Sequence, residues 1–255
     1  MKLQDYTPHE LLKPFVKAYK FIESEYGSVN RVLPDTSIAL AFKIKGQTNY
    51  ITENQIVSIP SIAISGLQKS ARSIQYEKDT SVIIVLFKPF GASMFFNLSL
   101  NQFYNDSIAI EHLISKNEVE IIEEKLALSK DNDQRVQLIE QFLFSRLNTD
   151  KLDLLVQQSI ESIYSNHGNL KIKGLAQSLF ISNDAFEKRF RKHIGTSPKA
   201  FASLVRMRYV LTQKNPTLLD KALAGGFFDQ AHFNKEFKIF TGQTPSDFYK
   251  TPSFW

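Results

Sequence analysis

The feature that most narrows what this chain can fold into is a repeat inside its last third. Displacing the sequence by 47 positions superposes Phe186 on Phe233, Lys188 on Lys235, Phe190 on Phe237, Arg191 on Lys238, Gly195 on Gly242, Pro198 on Pro245 and Phe201 on Phe248. Seven matches in sixteen positions point to one supersecondary unit used twice. Each copy reads Phe-x-Lys-x-Phe-(Arg/Lys), three residues, Gly-x-(Ser/Thr)-Pro, then an aromatic. The two Phe residues of a copy stand four apart and therefore share one buried helix face, while Lys188 and Arg191, like Lys235 and Lys238, point away from it. The Gly ends that helix in the left-handed conformation, and Ser-Pro or Thr-Pro begins the next.

What precedes each copy completes a helix-turn-helix. Ile172–Phe180 reads as a short helix with Ala176 at a close-packing position, followed by a turn at Ile181 and by Ser182 as N-cap of the second helix. In the second copy Leu218–Ala224 is the short helix, Gly225-Gly226-Phe227-Phe228 the turn and Asp229 the cap. Ala176 to Phe186 spans ten positions and Ala222 to Phe233 eleven, so the second turn is one residue longer. The first element covers about 172–194 and the second about 218–240. Pro198–Gln213 joins them as one uninterrupted helical pattern, with Phe201, Leu204, Met207 and Leu211 inward. A duplicated structural bundle would also account for paired hairpins, but it does not require cations at matched exposed positions. A helix-turn-helix places its second helix in a DNA major groove, and two of them suit successive grooves roughly 34 Å apart.

Charge divides the chain in the same place. Residues 1–150 carry 16 Lys and Arg against 18 Asp and Glu, whereas residues 151–255 carry 15 against 8. A basic part beside a near-neutral one points to a polyanion partner. The boundary falls near Asn148–Asp150, which divides the chain into 1–150 and a DNA-binding unit, 151–255. Within the first, short apolar β-rich runs at Ile38–Ile44, Ile56–Ile64, Arg72–Tyr76 and Ser81–Phe87 predict a small sheet or barrel over about 32–89. Helical periodicity follows over about 98–148, in Glu118–Leu128 and Arg135–Leu147, with Ser129–Gln134 as the loop between. The fold class is therefore α+β: a β-rich part with trailing helices, then an all-α part with two helix-turn-helix elements and a connecting helix.

Other chemistry finds little support. With no cysteine the chain has no disulfide, thiolate metal site or sulfur nucleophile. The five histidines have no ligand-like spacing, and no phosphate loop, nucleophile elbow or paired-carboxylate motif is present. The expectation is a non-enzyme without a cofactor. No apolar run is long enough to cross a membrane and no signal-peptide pattern opens the chain, so no membrane partner and a cytoplasmic location are expected.

Leu175-Ala176, Ser182–Phe201, Arg206 followed by Leu211, and above all Gly226–Tyr249 (GFFDQAHFNKEFKIFTGQTPSDFY) resemble the DNA-binding domain of the AraC/XylS family of bacterial transcription regulators. The resemblance covers 151–255. It implies base or phosphate contacts with double-stranded DNA from Asp184, Glu187, Lys188 and Arg191 in the first recognition helix, and from Gln230, Ala231, Asn234 and Lys235 in the second. Lys238, matched to Arg191, joins that set. Glu187 can accept from cytosine N4 or simply face solvent. The N-terminal part, in Leu33-Pro34-Asp35 and Val82–Gly91, is similar to an uncharacterised domain found on some regulators of the family. By that resemblance it would bind a small-molecule effector, mediate homodimerisation, or both, with RNA polymerase a partner if the protein activates transcription. The alternative reading is a non-specific or architectural DNA-binding protein.

Overall fold

The apolar runs of the N-terminal part do form strands, but two of these strands reach well past the apolar residues that mark them. In a computed structural model, which describes residues 1–250 apart from 53, 214–216, 218, 219, 221, 224 and 228, β1 is Lys2–Tyr6 and β2 is Val16–Val32. There follow β3 (Ala39–Lys45), β4 (Thr48–Ile51), β5 (Ile56–Ser58), β6 (Ile62–Ser65), β7 (Arg72–Phe87) and β8 (Ser107–Ala109). The sheet is antiparallel, ordered β1-β2-β7-β3-β6-β8, with β4 bridging β7 and β5. The sheet therefore begins at Lys2 rather than near residue 32, and Arg72–Tyr76 and Ser81–Phe87 belong to one strand. The polar stretch between them is held in line because β2 and β7 pair along their whole lengths, from Val16 opposite Phe87 to Val32 opposite Arg72. Such non-local pairing leaves little trace in local hydrophobicity.

Tyr19, Phe21, Leu40, Phe42, Val85 and Phe87 are buried in the sheet's apolar core. Two helices pack against it, α2 (Lys116–Leu128) and α3 (Asn132–Phe144), after a one-turn helix α1 (Ala92–Phe95) and a 3-10 turn at Leu100–Phe103. The N-cap Ser115 forms a full capping box with Glu118, and Asp131 caps α3. Phe142 of α3 meets Phe42 edge to face, and Glu140 accepts the Tyr19 hydroxyl at 3.2 Å. Burial and the nearby Glu140 carboxylate both push the Tyr19 phenol well above its ordinary range, so it remains a neutral donor.

The rest is helical: α4 (Leu154–Ser165), α5 (Ile172–Ser178), α6 (Asn183–Ile194), α7 (Pro198–Thr212), α8 (Gln230–Thr241) and α9 (Pro245–Lys250). The short helix expected over 218–224 lies mostly outside the described residues, of which Asp220, Ala222 and Leu223 are helical. A small apolar cluster of Ile22, Tyr76 and Val82 belongs to the sheet alone, and two further cores involve the helices. The larger runs without a break from the sheet through α4 to Phe186, Phe190 and Ile194 of α6 and Phe201 of α7. The smaller gathers Phe233, Phe237, Phe240 and Phe248 with Leu204, Met207 and Val210 of α7. Val210 rather than Leu211 is the fully buried residue at the end of the connecting helix.

Candidate nucleic-acid interface

The first helix-turn-helix is α5 and α6. The turn takes its left-handed residue at Phe180, φ +53°, one position earlier than Ile181, and Ile181 N–H then donates to the Ala176 carbonyl at 3.1 Å. Ser182 caps α6 by accepting from Ala185 N–H, and Gly195 closes the helix at φ +92°. Phe186, Phe190 and Ile194 form the buried face, leaving Asp184, Glu187, Lys188 and Arg191 all exposed.

The exposed face is not a plain row of cations. Arg191 donates to Glu187 through Nε at 2.9 Å and Nη2 at 2.6 Å, so the acidic residue holds its neighbour one turn away. Both groups are about half exposed, which makes the pair weak and readily exchanged for a phosphate. Arg189 is turned away from this face and donates to Asp153 at 2.8 Å. Asp153 is also the N-cap of α4, its other oxygen accepting from Leu155 and Val156 N–H. His193 sits beside the same carboxylate at 3.9 Å; burial outweighs the attraction of Asp153 and holds the imidazole below its usual range. One carboxylate thus orients α6 on α4. The sequence shows Asp153 only as a helix start, because its partners lie 36 and 40 positions away.

The described residues of the second element repeat this pattern with one change. Gly226, φ +65°, stands where Phe180 stands, and Phe227 N–H donates to Ala222 at 3.0 Å as Ile181 does to Ala176. The N-cap Asp229 comes three residues after Gly226 whereas Ser182 comes two after Phe180, which locates the extra residue between the left-handed position and the cap. Asp229 accepts from His232 N–H at 2.7 Å, and Gly242 closes α8 at φ +73°. Arg206 of α7 lies 4.3 Å over the Phe227 ring and ties the connecting helix to this turn.

Gln230, Ala231, Lys235 and Lys238 are exposed on α8, with Asn234 half-buried between them. Gln230, Asn234, Lys235 and Lys238 line a concavity of about 300 Å³ whose other wall is Thr244, Pro245 and Ser246 at the start of α9. Asn234 Oδ1 is buried there with no hydrogen-bond partner. A buried amide oxygen without a donor costs about 1–3 kcal/mol, a strain relieved by any group that supplies an N–H. Thr244 and Ser246 were not singled out in the sequence, where Thr-Pro reads only as a helix start. Their place beside Asn234 depends on the turn at Gly242.

Residues 175–251 match the family described as "Helix-turn-helix domain", and residues 4–109 match one described as "Domain of unknown function (DUF6597)". The chain is 32% identical over 119 residues to the Msm operon regulatory protein of Streptococcus mutans, covering 44% of this chain and 43% of that protein. It is 31% identical over 119 residues to an uncharacterized HTH-type transcriptional regulator of Haemophilus influenzae, covering 46% and 39% respectively. The C-terminal part is an AraC-type helix-turn-helix domain. The matches span less than half the length of these relatives. Among solved structures, ToxT of Vibrio cholerae aligns over 97% of this chain and 98% of its own, at 14% identity and a TM-score of 0.48. Within the AraC-type domain, α6 and α8 are the two second helices; the eight residues implied by the resemblance, and Lys238 with them, lie on these helices, all exposed except the half-buried Asn234. No helix of the described residues is long and apolar enough to cross a membrane.

Proposed function

We propose that the chain is a sequence-specific transcription regulator in which residues 151–255 bind double-stranded DNA by inserting α6 and α8 into successive major grooves. The observation that carries this reading is the duplicated element itself, with Lys188 and Lys235 at equivalent exposed positions and the unsatisfied Asn234 amide among Gln230, Lys235 and Lys238. Asn and Gln match the adenine edge, and the lysines suit guanine or phosphate. Asp184 lies in the first turn of α6, where the helix dipole favours an acid, and Lys188 beyond it is an exposed cation facing DNA. The Arg191 guanidinium exchanges Glu187 for phosphate on binding. Ala231 offers a small apolar contact to a thymine methyl group. The names of the relatives support regulation as the outcome of binding.

Residues 1–150 form the controlling unit in this proposal, acting through a small effector, through self-association or through contact with RNA polymerase. The decisive experiment selects duplexes from a random pool and compares the best with random DNA at physiological salt. Specific binding should be tighter by about 10³-fold or more. Equal affinities would favour an architectural role, and absence of binding would reject the DNA reading.

A further inference from the structure

The two helix-turn-helix elements are attached to the sheet in different ways. The first has no core of its own: Phe186, Phe190 and Ile194 belong to the same apolar cluster as Phe15 and Phe87 of the sheet part. The Leu100 carbonyl also lies beside Gly195 at the end of α6, close enough that a Cβ there would meet it at 3.1 Å. The second element has a separate core, and Leu33 is the one buried residue that the sheet part contributes to it among those described, with Ala71 at its margin.

The sheet part's other ties to the second element meet the C-terminal end of α8, while Asn169 and Arg206 hold its turn at Gly226 and Phe227. Ala71 N–H donates to the Phe240 carbonyl at 3.0 Å, supplying a donor that the helix end lacks. The Arg31 guanidinium lies against Gly242, where a cation meets the negative end of the helix dipole. Two residues past Leu33, Asp35 faces Arg208 of α7 at 3.8 Å and Lys17 at 3.1 Å. Thr36 accepts the Tyr164 hydroxyl of α4 at 2.8 Å. Residues 31–36 therefore run from the end of the second recognition helix, across its core, to the helices that carry the first.

We infer that the second helix-turn-helix is a movable reader and that residues 31–36 are the coupling by which the sheet sets its orientation relative to the first. The inference rests on the DNA-binding reading for its consequence, but not for the motion. An apolar core held in common resists displacement because any shift exposes packed side chains. One leucine at the edge of the second core, one backbone hydrogen bond and one guanidinium can be released together while Phe233, Phe237 and Phe240 stay packed on Leu204, Met207 and Val210 of α7. The sheet then acts on DNA recognition by fixing the spacing between α6 and α8.

The absence of cysteine makes the test direct. Spin labels are placed on the full chain through Glu124→Cys on α2 together with either Lys192→Cys on α6 or Ile239→Cys on α8, all exposed positions. Both distance distributions should be narrow in the parent chain. Leu33→Ala should broaden the α2-to-α8 distribution and leave α2-to-α6 narrow, which also reports that the main core has folded. Arg31→Ala combined with Asp35→Ala, which leaves both cores intact, should do the same to a smaller extent. An unchanged α2-to-α8 distribution in both variants, or equal broadening of the two distances, would overturn the inference. On selected duplexes, the preference for the best spacing over one lengthened by a base pair should fall about tenfold in Leu33→Ala. An unaltered preference would overturn the coupling to DNA. If the parent chain binds no duplex at all, the DNA reading fails while the distances still decide the motion.

Discussion

Phe180 stands at φ +53° with 98% of its surface exposed, so Phe180→Gly is expected to stabilise the folded chain. The left-handed region costs an L-residue roughly 1–2 kcal/mol, because Cβ crowds the following carbonyl. Glycine escapes that cost but loses more freedom on folding, by about 0.4–1 kcal/mol. No apolar burial is lost, since the ring touches almost nothing. The net gain is about 0.5–1 kcal/mol, which for a chain of this size is a rise in Tm of about 1–4 °C. Gly226 fills the equivalent position of the second element, so the backbone accepts the substitution without rearrangement. Phe180→Ala is the control: it removes the ring but keeps Cβ, and its stability should match the parent. Urea unfolding followed by circular dichroism, with thermal midpoints alongside, measures all three chains. A glycine variant no more stable than the alanine variant would refute the reasoning, since backbone strain would then not be the cost that Phe180 carries.

Lys235→Ala should weaken binding to selected DNA and make its salt dependence shallower by about one unit of slope if the ammonium holds a phosphate; unchanged affinity would remove it from the interface. Asn234→Ala should relax sequence preference at one base position with little effect on the salt slope, and an unaltered selected motif would show that the orphaned amide oxygen does not read a base. Phe190→Ala should cost ~3–5 kcal/mol and lower cooperative unfolding of the whole chain, whereas Phe237→Ala should release the second element first; hydrogen exchange separates these, and identical patterns would contradict two cores. Because burial holds the folded His193 imidazole below its usual range, the unfolded chain takes up that proton first as pH falls. Stability should fall as pH drops below about 6.5, and His193→Gln should flatten that part of the profile; an identical slope in the variant would refute it.

The second helices were legible in sequence because their determinants are local. Phe186 and Phe190 stand one turn apart, Ser182 and Gly195 bound the same helix, and the copy at Phe233 and Phe237 repeats the arrangement between Asp229 and Gly242. The exposure of Lys188 and Lys235 follows directly from that spacing. The long strands were not legible. β2 carries Glu23, Glu25, Asn30 and Arg31 among its apolar residues, and it is ordered by its partner β7 rather than by its own alternation. The pairings that qualify the candidate site are hidden for the same reason, since Arg189 looks as available as Lys188 until Asp153 is brought beside it.

Sequence by itself determined that one helix pattern is used twice, which caps bound each second helix, and which face of each second helix is left to solvent. Those properties depend on helical period, caps and left-handed glycines, all of which act within a few residues. Only the tertiary structure decided that the first element is part of the sheet's own core and the second is not. It also decided that Leu33-Pro34-Asp35, a short motif with no evident role along the chain, reaches from one reader toward the other. Contacts of this kind join residues more than a hundred positions apart, and their strength depends on how surfaces meet.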